Sequence, residues 1–547
     1  MGIHLALFLV LSVLRATLSQ DIEHGSLLVD GAQAKAETGD NYVCATIDWW
    51  PHDKCDYNHC PWGYSSVSNL DLTHPFLAKA IQAFKPLRIR LGGSLQDQVL
   101  YDIGLQNPCH PFQKLSGGLF GFSKGCLHMQ RWDELNQFFN KTGAIVTFGL
   151  NALHGKHQIR HNVWEGAWDP QNTYDFLKYT VSKGYKIDSW ELGNELSGKG
   201  IGASVGVAQY GKDLIKLKQI IDELYENSKF KPSLVAPGGF YEKQWYDKLL
   251  QVSGSGIINV VSHHLYNLGP GSDEHLERKI LDPMRLSRVE YIFRNLTKTI
   301  QEYGPWSSAW VGEAGGAYNS GGPSVSNSFL NSFWYLDQLG MASTYNTKVY
   351  CRQTLVGGNY GLINVTTFTP NPDYYSALLW HRLIGKKVLA VSMDVSSPFL
   401  RTYAHCSKNR EGVTLLLINL SNQTRFILNV RNPVIASVEE NNTAKTTQKD
   451  DNSFVARLKR AFSWVGSKGS DVTFREEYHL TSKDGYLRSQ TMVLNGIPLK
   501  LTNQGDIPTL EPVKSNVHSP IYISPLSIAF IVYPNFDAPA CSRHRKL

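Results

Sequence analysis

Short runs of β-branched and aromatic residues alternate with helical periodicity through the first two thirds of the chain. The runs fall at 42–48, 87–91, 144–150, 187–192, 233–236, 258–264, 309–312 and 348–355. Between most of them apolar residues return every three or four positions, as at 132–140, 173–183, 207–225 and 286–303, the pattern of a helix with one buried face. Each gap is long enough for a right-handed crossover, so the pattern predicts an α/β fold, a (β/α)8 TIM barrel. An open doubly wound sheet is the structural rival, but no G-x-G-x-x-G loop supports it.

After about residue 387 the rhythm changes to short alternating strands without long helices, at 388–393, 400–404, 413–420, 425–430, 472–479, 491–494 and 521–532. This predicts a C-terminal antiparallel β-sandwich. Residues 26–32 could add an edge strand to it. The expected division is a leader over 1–19, an N-terminal segment over 20–40, a catalytic barrel over 41–386 and the sandwich over 387–547, with 441–452 a polar exposed loop.

Composition sharpens this only in places. Charged residues are 18% of the 547, and 54 basic against 47 acidic side chains leave +7, an excess too mild and too scattered for a nucleic-acid partner. Residues 5–14 are almost wholly apolar, preceded by His4 and followed by small residues to Ser19, which reads as a secretory leader. The run is too short to span a bilayer, so any membrane contact would be peripheral. The expected destination is the extracellular space and cell wall, or a lysosome or vacuole. Asn140, Asn295, Asn364, Asn419, Asn422 and Asn441 open N-x-S/T triplets, expected mostly on surface loops and glycosylated.

Eight cysteines in a secreted chain suggest disulfides. Cys406 and Cys541, alone in the sandwich segment, are expected to pair, and Cys109 with Cys126. Cys44 and Cys351, on the first and eighth strands, are expected to stay as buried thiols. Cys55 and Cys60 beside His52 and His59 could be drawn as a zinc site, but no second Cys pair completes it, so no metal is expected.

Catalytic side chains of such barrels sit at the C-terminal ends of strands. The fourth strand ends Trp190-Glu191-Leu192-Gly193-Asn194-Glu195 and the seventh ends Trp310-Val311-Gly312-Glu313. Period-two alternation sinks Glu191 deeper, as an ion-pair partner, and leaves Glu195 better exposed. Two carboxyls facing across a cleft are what glycosidic cleavage needs, one protonated and one ionised. Asn194 can bond a sugar 2-OH. His264 shares a face with Tyr266, whose hydroxyl could orient Glu313, while His263 reads as core. Asp48 and Ser94 are candidates for sugar hydroxyl contacts, and Trp49, Trp50, Trp164 and Trp168 for stacking or core packing. Neither a Walker loop nor a G-x-S-x-G elbow is present.

These residues resemble the retaining clan A glycoside hydrolases, and almost the whole mature chain resembles the plant heparanase-like proteins of glycoside hydrolase family 79. The supporting strings are Arg90-Leu91-Gly92-Gly93-Ser94, Phe148-Gly149-Leu150-Asn151-Ala152, Trp190 to Glu195, Ser262-His263-His264-Leu265-Tyr266, Gly312-Glu313, Arg352-Gln353 and Gly358-Asn359-Tyr360. The resemblance implies Glu195 as acid/base, Glu313 as nucleophile and a β-linked glucuronide as substrate, without cofactor. It places recognition of the sugar carboxylate on the loop 317–322 and Tyr360, with Asn319 and Ser320 standing where family members carry glycine. Many clan members follow the acid/base with proline; this chain has Leu196 and then Ser197-Gly198-Lys199-Gly200. The expectation is a secreted retaining β-glucuronidase releasing terminal glucuronate from a glycan or a small-molecule glucuronide. An endo-β-glucuronidase, another clan A exo-glycosidase and a glycan-binding protein are the alternatives.

Overall fold

The computed structural model describes residues 21–432 and 473–542. The expected leader, the Asn441 triplet and the loop 441–452 lie outside them. Eight parallel strands close into a barrel: β1 (Val43–Asp48), β2 (Arg88–Gly92), β3 (Ile145–Leu150), β4 (Ser189–Leu192), β5 (Ser233–Phe240), β6 (Val260–Leu265), β7 (Ser308–Ala314) and β8 (Val349–Arg352), with β8 paired to β1. Closure rules out the open sheet. β1, β2, β4, β6 and β8 are buried along their whole length, because helices cover the outside and side chains fill the inside.

Alternation decides which residues fill the interior. On β1, Val43, Ala45 and Ile47 join the core beneath the helices, leaving Cys44, Thr46 and Asp48 on the other face. The lowest layer holds Cys44, Val235, Val260, Trp310, Val349 and Cys351, all buried. Cys44 and Cys351 stand directly opposite in the parallel register and form a disulfide, which corrects the expectation of free thiols. Arg88 lies over the Trp310 ring at 4.7 Å and bonds Thr147 and Asp188. Arg90, Glu191, Ser262 and Gly312 follow higher up, below the mouth.

The β-rich part is two sheet halves joined through the long strand Ile384–Met393. One half contains Leu400–Ser407, Val413–Asn419, Ser527–Tyr533 and Phe474–Ser482; its Leu416, Ile418, Phe530 and Val532 join the barrel core, while Leu415, Leu417, Ala529 and Ile531 face a second core. That second core is shared with Phe426, Leu428, Ile521 and Ile523 of the other half. The run at 521–532 is split at Pro525 into Ile521–Ile523 and Ser527–Tyr533, one in each half. The N-terminal strand Asp21–Asp30 is not an edge: it pairs parallel with Thr424–Arg431 on one side and antiparallel with Ile384–Met393 on the other.

Four bridges, Cys44–Cys351, Cys55–Cys60, Cys109–Cys126 and Cys406–Cys541, account for all eight cysteines. The Cys55–Cys60 bridge uses the thiolates a zinc ion would need. Of the triplets inside the described residues, Asn140 and Asn422 are exposed and Asn295 and Asn364 half-buried. Asn419 is fully buried and its amide donates to the carbonyls of Thr424 and Ser524, so it is not a surface site.

Candidate active site

A cavity of about 400 Å3 opens at the C-terminal ends of the barrel strands. Its walls include Ser94, Glu195, Tyr266, Glu313, Asn319, Ser320 and Tyr360, seven of the residues expected at the site. Asp48, Asn194 and His264 lie just beneath it as supports of its walls.

Glu313 ends β7 with both carboxylate oxygens engaged. Oε2 accepts from Arg90 Nη1 at 3.0 Å and Oε1 from the Tyr266 hydroxyl at 2.7 Å. Arg90 is buried and also donates Nε to Glu191 at 2.6 Å and Nη2 to Asn194 Oδ1 at 2.9 Å. Burial opposes its charge, but the carboxylates of Glu191 and Glu313 overcome that and hold the guanidinium protonated. Glu191 is thus the ion-pair partner that alternation predicted. Arg90 takes Asn194 Oδ1, which leaves the side-chain amide nitrogen as its remaining polar group.

Glu195 is equally buried but lacks such a clamp. Oε1 is 2.8 Å from His264 Nδ1, its backbone nitrogen donates to the Gly238 carbonyl at 2.7 Å, and its φ of 57° is left-handed. Burial pushes the carboxyl up to about 7, against a smaller downward pull from Arg90. Burial also brings His264 down to about 4, so near neutral pH the imidazole is uncharged and can give or take a hydrogen bond at Nδ1. One oxygen of each glutamate and a nitrogen of His264 lie within 4.8 Å of one another. His263 points the other way, edge-on to Phe293, and burial lowers it to about 3, as a core histidine.

Asp48 accepts from Gln353 Nε2, whose own carbonyl takes the Thr46 hydroxyl. Burial and then the nearby Glu313 raise its carboxyl well above the usual range, partly offset by the Gln353 bond. The backbone of Gly93, with φ +99°, passes so close that a Cβ there would fall 1.6 Å from Asp48 Oδ1. Only glycine fits. Asp97 supports Ala152 and Asn194 through their N–H groups, at 2.7 and 2.8 Å.

The opposite wall is built by the loop after β1, closed by Cys55–Cys60. It presents Trp50, Lys54, Asp56 and Trp62 to the cavity; Lys54 Nζ lies 4.8 Å from the Trp50 ring centre and 2.7 Å from Asp56. Ser320 Oγ donates to Asp56 at 2.5 Å and accepts from Trp62 Nε1 at 2.8 Å, while Asn319 Nδ2 donates to the Tyr57 hydroxyl at 3.2 Å. The two side chains that stand where family members carry glycine therefore tie the loop 317–322 to the stapled loop. Of the tryptophans, Trp50 lines the cavity, Trp49 is core, and Trp168 is buried with its indole N–H on the Asn151 carbonyl. Lys54, Asp56, Trp62, Phe120, Phe240 and Gln353 had no expected role; for the first three the available signal was two cysteines five apart after a barrel strand.

Residues 24–340 match the family model for the N-terminal domain of glycosyl hydrolase family 79. Heparanase-like protein 1 of Arabidopsis thaliana is 63% identical over 536 residues, 97% of each chain. A baicalin-β-D-glucuronidase of Scutellaria baicalensis is 38% identical over 514 residues, 91% of this chain and 90% of the relative. A solved 4-O-α-L-rhamnosyl-β-D-glucuronidase from Fusarium oxysporum 12S shares the fold with a TM-score of 0.62 at 15% identity, covering 93% of this chain and 100% of that one. A paired-glutamate barrel mouth and near full-length similarity to such relatives agree: the chain is a glycoside hydrolase and belongs to family 79.

Proposed function

We propose that this protein is a secreted retaining β-glucuronidase that removes terminal glucuronate. The observation that carries the reading is the placement of two buried carboxyls with oxygens inside 4.8 Å and opposite environments. Retaining enzymes bring their carboxyls to about 5–5.5 Å, whereas inverting ones leave roughly 6.5–9.5 Å for a water. Glu313, aimed by Arg90 and Tyr266, attacks the anomeric carbon as the glycosidic C–O bond breaks. Glu195, protonated up to about pH 7, gives its proton to the leaving oxygen. In the second half Glu195 takes a proton from water, whose oxygen displaces Glu313 and restores the β configuration.

The sugar carboxylate is read by the wall formed by Lys54, Asn319, Ser320 and Tyr360. The Tyr360 phenol, loop N–H groups and the Lys54 ammonium, whose charge is shared with Asp56 at 2.7 Å, would favour an anion at C5 over a hydroxymethyl group. Relatives described as a β-glucuronidase and as heparanases support the glucuronide class. Pairing of every cysteine supports an oxidising compartment, and hence secretion with glycans on Asn140 and Asn422.

Hydrolysis of chromogenic β-glucuronide, glucoside, galactoside and xyloside tests the sugar, and a dominant neutral substrate overturns it. The roles are tested with an activated nitrophenyl glucuronide and azide. Azide should rescue Glu195→Ala to the β-glycosyl azide and Glu313→Ala to the α product. Near-wild-type turnover without azide in either variant rejects the assignment.

A further inference from the structure

A second cavity, of about 530 Å3, adjoins the first over the loops that follow β2, β3 and β4. Asp97, Asn151, His154, Gln158, His161 and Trp164 are among its walls. Its outer side is a small sheet in which Val163–Glu165 pairs with both His157–Arg160 and Ser204–Val205. Phe120 is the residue common to the two cavities. Its ring meets Trp50 edge-on at 6.0 Å and rests on the backbone of Gly202, where a Cβ would fall 2.6 Å from Cζ.

The direction of the second cavity matters. Glu313, Ser320 and Tyr360 belong to β7, β8 and their loops, so the glucuronosyl group occupies that side. Glu195 and the glycine-rich stretch after it border the other side, with Ile201 in one cavity and Gly202 in the next. The leaving oxygen meets Glu195, so a long leaving group heads for the second cavity and meets Phe120 first.

Phe120 also sits at φ +56°, in the left-handed region that a bulky residue adopts only at a cost. Gly117, Gly118 and Gly121 surround it, so glycine would suit the backbone better. A strained aromatic ring among glycines, placed between two cavities, points to a role for its side chain. We infer that Phe120 is a specificity-determining residue: it partitions one continuous cleft and restricts the enzyme to glucuronides with compact leaving groups, the cavity behind it being a saccharide subsite that the ring closes off. This rests on the glucuronidase reading and adds the class of leaving group to it.

The test compares kcat/KM for 4-nitrophenyl β-D-glucuronide with that for a trisaccharide ending in a β-linked glucuronosyl group. Phe120→Ala joins the two cavities and should raise the trisaccharide-to-nitrophenyl ratio roughly tenfold or more, with Phe120→Leu between it and wild type. Adding Gln158→Trp refills the second cavity and should cancel the gain. Thermal melting identifies any variant that has not folded, and Phe120→Leu, which keeps an apolar contact with Trp50, stands in if the alanine variant fails. A ratio unchanged in the folded Phe120 variants overturns the partition, as does a gain that survives Gln158→Trp. If wild type cleaves glucosides and neither glucuronide, the sugar assignment fails instead, and the same ratio measured on compact and extended glucosides still decides the partition.

Discussion

Glu195 and Glu313 have the same functional group and nearly the same burial, and differ in what they touch. Arg90 and Tyr266 hold Glu313, while a neutral imidazole faces Glu195, whose carboxyl is raised to about 7 by burial. The sign of the pH dependence follows. Leaving-group assistance needs the protonated carboxyl, so kcat/KM for an unactivated glucuronide should fall as pH rises through about 7. With a dinitrophenyl leaving group Glu195→Gln should retain measurable turnover and lose that basic limb; a limb that persists belongs to another group. Tyr360 tests the carboxylate wall. Losing one hydrogen bond to a charged group costs about 1.5–3 kcal/mol, so Tyr360→Phe should lower glucuronide kcat/KM roughly tenfold to a hundredfold and leave weak glucoside activity unchanged. Equal losses on both substrates would make the residue structural. The two glutamates, His264 and Tyr266 were legible because they lie at or just past the C-terminal ends of barrel strands, where such barrels carry their chemistry. Arg90 and Gln353 stood inside the quoted motifs without a role, since the partners that define them, Glu313 and Asp48, are more than 200 residues away. Asn419 misled because a sequon is silent about burial, and this one lies on a strand buried on both faces.

Among the elements, short apolar strands and helices with one buried stripe were read most easily. The barrel strands and the helices Met129–Thr142, Gln171–Ser182 and Val207–Leu224 were found within a few residues, because each helix buries one stripe against the sheet. Helix Phe329–Thr344 left no such stripe: it lies between the barrel and the β-rich part and is buried almost all round, with Asp337 bonded to Arg401 and Tyr403. The N-terminal strand was legible as a strand, but its place beside Thr424–Arg431 is set by pairing with residues some 400 positions away. The stapled loop is an element of the site that the sequence left unassigned: zinc was set aside, but no partner followed for Cys55 or Cys60. Its short bridge closes a small loop and in the chain-entropy model is worth only about 2 kcal/mol, so its main effect is to hold Lys54, Asp56 and Trp62 against Ser320. The double variant Cys55→Ser with Cys60→Ser should therefore raise KM for the glucuronide several-fold with little loss of thermal midpoint. A large fall in midpoint with KM unaltered would show that the loop supports the fold and not the pocket.

On the scale of the whole molecule, the active site and the last described residues occupy opposite ends of barrel strand β1. Strand β1 begins beside a cavity that Cys406, Cys541 and Ser542 also line, and ends at Asp48 beneath the catalytic pocket. The C-terminal segment is pinned there by Ala540 N–H on the Gly31 carbonyl, Lys387 on the Ala540 carbonyl, Asn432 on the Asp537 carbonyl, and the Cys406–Cys541 bridge. That bridge spans 135 residues, so by chain entropy it contributes roughly 5 kcal/mol, against about 3 for Cys109–Cys126, which spans 17. Both are upper figures, because compact unfolded chains lose less entropy on closure. The ordering survives that reduction. Replacing Cys406 and Cys541 together by alanine should lower the thermal midpoint more than replacing Cys109 and Cys126, while kcat and KM at 25 °C stay near wild type for the first pair. Replacing the second pair should disturb activity more at a smaller cost in midpoint, because Cys126 follows the segment that carries Phe120 into the cleft. If the long bridge governs KM and the short one governs melting, the separation of stability and catalysis between the two ends of the barrel is wrong.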